Sequence, residues 1–154
     1  MLMTRTTIHL ILALAVSLVL TTTAFAREGK EKGGCTNATL YGDYGRLVTG
    51  TRILLLGGTE AFVGTALRTY DGNGHFTEVA NSHGQTTGTE RDLPKTGIYQ
   101  VNVNCTGTAT MFIPGFPPVE TSFVIVDRGR EIDHAVMSPA GQLATGVEKR
   151  VGIE

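Results

Sequence analysis

Several absences narrow this sequence early. No second long apolar run follows the one near the N-terminus, so nothing later in the chain reads as a membrane-spanning helix of ~20 residues. No stretch of about a dozen residues repeats apolar side chains at helical spacing, which argues against an α-helical domain. Neither sign of charge prevails: 13 basic residues stand against 14 acidic ones. That balance gives no reason to expect nucleic acid or an anionic membrane as partner. There is no HExxH and no i, i+2 histidine pair, so metal-ligand spacing is missing and no metal or cofactor is expected. GxSxG and a Ser-His-Asp order are also missing, which leaves hydrolase chemistry without support. Only two cysteines occur, without CxxC spacing, a poor basis for zinc or thiol catalysis.

What is present begins with a leader. Arg5 supplies a positive start, Ile8 to Leu20 an apolar core, and Ala24 to Ala26 a small-x-small cleavage site. This is the pattern of a secretory signal peptide, residues 1–26, cut after Ala26. It predicts a secreted or periplasmic protein with no stable membrane insertion after cleavage. Cleavage removes Arg5 from the 13 basic residues, leaving 12 against 14 acidic and a net charge of −2. Residues 27–34 read as a flexible, charged start, and 35–154 as one domain. Cys35 and Cys105 both reach an oxidising compartment, where a disulfide is expected.

All 20 glycines follow the leader. Runs rich in Val, Ile, Thr, Tyr and Phe alternate with Gly, Asn, Asp and Pro clusters, the signature of an all-β domain. The pattern predicts eight strands, at about 39–49, 59–70, 74–82, 96–104, 106–113, 119–127, 130–138 and 141–150. These form an antiparallel up-and-down barrel. "YDGNGH" at 70–75 resembles the start of a calcium loop. An EF-hand beginning at Asp71 needs Gly at its sixth position and Glu at its twelfth, where Phe76 and Ser82 stand. A hairpin turn is the reading that remains.

Alternate connections of a meander share one end. The tight turns at 71–73, 105 and 128–129 therefore lie together, with Cys35 and Cys105 among them. Longer connections gather at the other end: Gly50–Gly58 with its Leu run, the polar stretch His83–Lys95, and Pro114–Pro118 around Phe116. Loops on a rigid scaffold are where binding sits. The expected mouth is formed by these loops, with Tyr99 just inside it.

Inside the barrel, Tyr99, Val101 and Val103 are expected on one face of the fourth strand. Ala109, Met111 and Ile113 follow on the fifth, and Phe123 and Ile125 on the sixth. Ile132, His134 and Val136 share a face of the seventh. An apolar interior with Tyr99 as polar handle suits a small apolar ligand or a packed core. The candidate ligand-binding residues are Tyr99, Phe116, Phe123 and His134. Glu78 is the best candidate acid or base if buried, and is expected at the surface.

"CTNATLYGDYGRLVTG", "RTYDGNGHFT", "TGIYQVNVNCTGTATM" and "FVIVDRGREIDHAVMSPAGQLATGVEKR" together resemble a family of secreted bacterial barrels grouped with the allene oxide cyclase-like and lipocalin-like folds. The resemblance covers nearly all of 35–151 and rests on turns and the cysteine pair. It implies the fold rather than the chemistry. Taken with the apolar interior, the leading reading is an exported barrel that binds a small apolar or amphipathic molecule or serves in the envelope. It leaves as alternatives a cofactor-free cyclase or isomerase, and a protein-binding module using the long-loop end. No catalytic residue carries over from the resemblance.

Overall fold

The computed structural model describes residues 34–152. The leader, its cleavage site and residues 27–33 lie outside the described residues. Eight strands follow one another: β1 Tyr41–Ile53, β2 Thr59–Asp71, β3 His75–Gly84, β4 Gly88–Val101, β5 Thr106–Phe112, β6 Val119–Val126, β7 Glu131–Ser138 and β8 Leu143–Arg150. Each pairs antiparallel with the next, and β8 pairs with β1, closing the barrel. Among the described residues, closure leaves no exposed sheet edge. Among the described residues no helix is long and apolar enough to cross a membrane.

Period-two alternation sets which side chains point inward. In β3, Phe76, Glu78 and Ala80 are buried while Thr77, Val79 and Asn81 face out. Inward glycines make room for large neighbours. Gly97 pairs with Phe76 and Gly107 with Phe123. A Cβ at either would sit 2.1–2.2 Å from the ring opposite. The ring covers the bare backbone and fills the space.

The end carrying the tight turns is plugged. Leu40, Tyr44, Tyr70, Phe76, Tyr99 and Ile132 form its buried core. Tyr70 stacks edge-on against Tyr44 and Tyr99, at centroid separations of 5.3 and 5.0 Å. Residues Asn37–Thr39 make one 3-10 turn across this end. The Tyr99 hydroxyl donates to the carbonyls of Asn37 (3.1 Å) and Leu40 (3.0 Å), and the Val101 amide donates to Asn37 Oδ1 (2.8 Å). The Cys35–Cys105 disulfide pins the same segment to the β4–β5 turn, with 4.9 Å between Cα atoms. "YDGNG" is a hairpin turn: Asp71 Oδ1 accepts from the amides of Asn73 (2.7 Å) and His75 (3.0 Å). Gly72 and Gly74 hold positive φ angles of 76° and 107°.

Two details differ from the sequence reading. His83–Lys95 is not a long loop, because β3 and β4 run on into it and leave only three residues between them. A bulge disguises it. Ala80 pairs with Leu93 and Ser82 with Glu90, so Asn81 alone faces both Arg91 and Asp92. The extra residue, Asp92, takes φ 52° and inverts the alternation, and Pro94 interrupts the apparent strand further. Val103 does not point inward, since β4 ends at Val101 and Val103 is exposed in the turn.

Candidate functional site

The open end leads into a cavity of about 70 Å³. Its walls are mostly apolar, including Val48, Phe62, Leu93, Met111, Val119 and Val136, with Arg52, Ser82, Glu90 and Gln142 towards the rim. Phe116 and Pro117, from the β5–β6 connection, lean over its mouth. Arg46, Glu78 and Lys95 reach it from beneath.

Those three belong to a charged layer across the middle of the barrel, built by strand register. Arg68 pairs with Glu78, and Glu78 with Lys95, across β2, β3 and β4. Glu148 pairs with Arg46 across β8 and β1. All five side chains occupy inward positions, and Arg46, Arg68, Glu78 and Glu148 are buried. Glu78 Oε2 accepts from Arg68 Nε (2.8 Å), and Oε1 from Lys95 Nζ (2.9 Å) and, more weakly, Arg46 (3.4 Å). Glu148 accepts from Arg68 (2.8 Å) and the Tyr70 hydroxyl (2.9 Å). The Arg68 guanidinium also lies 4.1 Å from the Phe76 ring centroid, on top of the plug.

Burial opposes the charges of Glu78, Arg46 and Lys95, and their partners offset it to different degrees. For Glu78, burial pushes the carboxyl up, but Arg68, Arg46 and Lys95 together hold it well below the usual range. For Arg46, burial pushes the guanidinium down, and Arg68 adds to that while Glu78 and Glu148 oppose it. Burial lowers Lys95 as well, against the pull of Glu78. His134 is lowered to about 3 by burial and by the Arg46 and Arg68 cations, so it is neutral. Its Nε2 lies 2.7 Å from Arg46 Nη2. Arginine only donates, so Nε2 accepts and the ring proton sits on Nδ1. Among the described residues, neither that Nδ1–H nor the Nε–H of Arg46 has a hydrogen-bond partner.

A second cluster braces the rim. Arg52 Nε donates to Glu60 (2.8 Å), and Arg52 Nη1 to Ser82 (3.1 Å) and to Glu90. Burial would raise the Glu60 carboxyl. The Thr87 hydroxyl, the amides of Thr87 and Thr86, and Arg52 outweigh it and bring the carboxyl down to about 2. Glu90 reaches this cluster only because the Asp92 bulge inverts β4.

No family model and no curated protein matches this chain. Its chemistry therefore rests on the geometry.

Of the candidate ligand residues, Phe116 lines the cavity. His134 is buried as its alternation implied, but it stands beside the floor, behind Arg46. Tyr99 does not lie inside the mouth. β4 starts at the open end, but at Gly88 rather than near residue 96, so Tyr99 reaches the plug. Phe123 packs into that plug against Gly107. Glu78 is not a surface charge, being 2% exposed. The interior is therefore not uniformly apolar. The sequence reading places Lys95 only at the end of a loop, and it misses Arg46, Arg68 and Glu148. Each shares parity with aromatic or aliphatic neighbours in its strand: Tyr44 and Val48, Tyr70, and Ala144. That parity was the available signal.

Proposed function

We propose that this exported protein binds a small amphipathic molecule in the cavity at the open end of the barrel. The observation that carries the reading is one cavity with apolar walls above and a charged floor below. A molecule with an apolar body and a polar end matches both parts. The plug and disulfide close the far end, so entry is past Phe116. Export is supported by the leader in the sequence, and the disulfide fits an oxidising compartment. Kinship with the secreted allene oxide cyclase-like and lipocalin-like barrels is part of the same proposal, supported by the closed eight-stranded meander.

An enzymatic role would use Glu78, the buried carboxylate among those that line the cavity. Three cations already hold it ionised and hydrogen-bonded, so it serves better as a counter-ion than as an acid or base. The exposed Leu55 and Leu56, at the β1–β2 tip beside the mouth, favour a second reading as a contact surface for a protein partner.

Titration with the small neutral fluorophore indole, readable because the chain has no tryptophan, tests the leading reading. Saturable binding is expected, and Phe116→Ala should weaken it by about five- to tenfold. Asp127→Ala, at the closed end, should leave it unchanged. No saturable binding, or equal loss from both variants, contradicts the proposal.

A further inference from the structure

The charged floor does not balance. Three cations, Arg46, Arg68 and Lys95, face two carboxylates, Glu78 and Glu148, and His134 adds no charge. An unmatched buried cation is costly and calls for an anion. The shortfall falls on Arg46. Arg68 makes close contacts with both carboxylates, and Lys95 sits 2.9 Å from Glu78. Arg46 stands 3.4 Å from each carboxylate, spends its shortest contact on a neutral imidazole, and has an Nε–H with no acceptor. Arg46 and Lys95 are also the two cations of this layer that line the cavity.

We infer that the molecule held in this cavity carries an anionic head, in its simplest form a carboxylate, seated against Arg46 and Lys95 with its apolar body among Phe62, Met111 and Phe116. The inference rests on the binding function proposed above and specifies its ligand class. A guanidinium with unused donors matches a carboxylate's two oxygens. The rim does not provide the same attraction. There Glu60 and Glu90 outnumber Arg52, and Glu90 is part-exposed to water. An inorganic anion would gain nothing from the apolar walls, so the apolar body is part of the recognition.

Calorimetric titration of the exported protein with hexanoate, 1-hexanol and hexylamine tests this. Hexanoate should bind at least about tenfold more tightly than hexanol, the usual worth of a charged hydrogen bond, with hexylamine weakest. Arg46→Gln should collapse the ratio of hexanoate to hexanol affinity. If that variant does not fold, Lys95→Gln should reduce the same ratio. Hexanol or hexylamine binding as well as hexanoate overturns the anionic head but leaves the cavity reading standing, provided the neutral fluorophore binds. A ratio unchanged in the folded variants overturns the placement at the floor. Failure of all three compounds and of the fluorophore overturns both proposals.

Discussion

Glu78 sits where a hydrophobic residue would ordinarily be, under the cavity and 2% exposed, and it anchors three cations. Removing its charge strands Lys95 in the interior and leaves Arg68 with Glu148 alone. Glu78→Gln should cost about 3–5 kcal/mol, the range for breaking a buried ion pair from one side. Urea unfolding would read this directly, and a cost below about 1 kcal/mol would mean the layer is more hydrated than described here. Acid should act on the same layer. His134 falls from 6.5 to about 3 on folding, so the unfolded chain binds its proton more readily. Its contribution is complete above pH 6.5 and is lost as pH falls toward 3. Between pH 6 and 5, before carboxylates titrate, unfolding free energy should drop at up to ~1.4 kcal/mol per pH unit. His134→Gln should flatten that slope. Glu78, also depressed, loses its contribution at lower pH, in the same direction. The sequence revealed His134 as inward because its neighbours Ile132 and Val136 are apolar. It hid Arg46, Arg68 and Glu148 because a charged residue in an alternating strand is ordinarily read as facing water. Only their mutual pairing makes the buried positions tenable, and pairing is a property of register between strands.

At the scale of strands and turns, glycine placement separates what packing demands from what it tolerates. Gly97 and Gly45 are both strand glycines without positive φ. A Cβ at Gly97 would meet the Phe76 ring at 2.1 Å and the Thr110 carbonyl at 2.5 Å, whereas one at Gly45 finds nothing closer than 3.6 Å. Gly97→Ala should therefore destabilise by about 1–3 kcal/mol, as overpacked cores do. Gly45→Ala should stay within about 0.5 kcal/mol. Similar melting temperatures for the two would contradict the packing of Phe76. Strand count, meander order and the "YDGNG" hairpin were legible because turn chemistry is local. The extension of β3 and β4 was not, because one bulge at Asp92 reverses the alternation that identifies a strand. The same reversal explains why Tyr99 is in the plug. A strand taken to start near residue 96 places Tyr99 at the mouth, but β4 begins at Gly88 and carries it to the far end.

Residues 34–152 form a barrel with one stoppered end. The disulfide joins residues 70 apart, and the chain-entropy model assigns such a loop ~4 kcal/mol through the unfolded chain. Cys105→Ala should lower the melting temperature while the β-type circular dichroism survives, since the barrel's own pairing is complete without it. A protein that loses its β signal altogether would show the plug to be required for closure. Above the plug come the charged layer, the cavity and the rim, in that order. The central claim is that small molecules enter at the rim and stop at the charged layer. Methyl NMR of the protein during titration with indole tests it most directly. The account predicts shifts at Val48, Met111, Val119 and Val136, with Val101 and Ile125 at the plug unmoved. Shifts centred on Val101 and Ile125, or spread evenly over both ends, would contradict it.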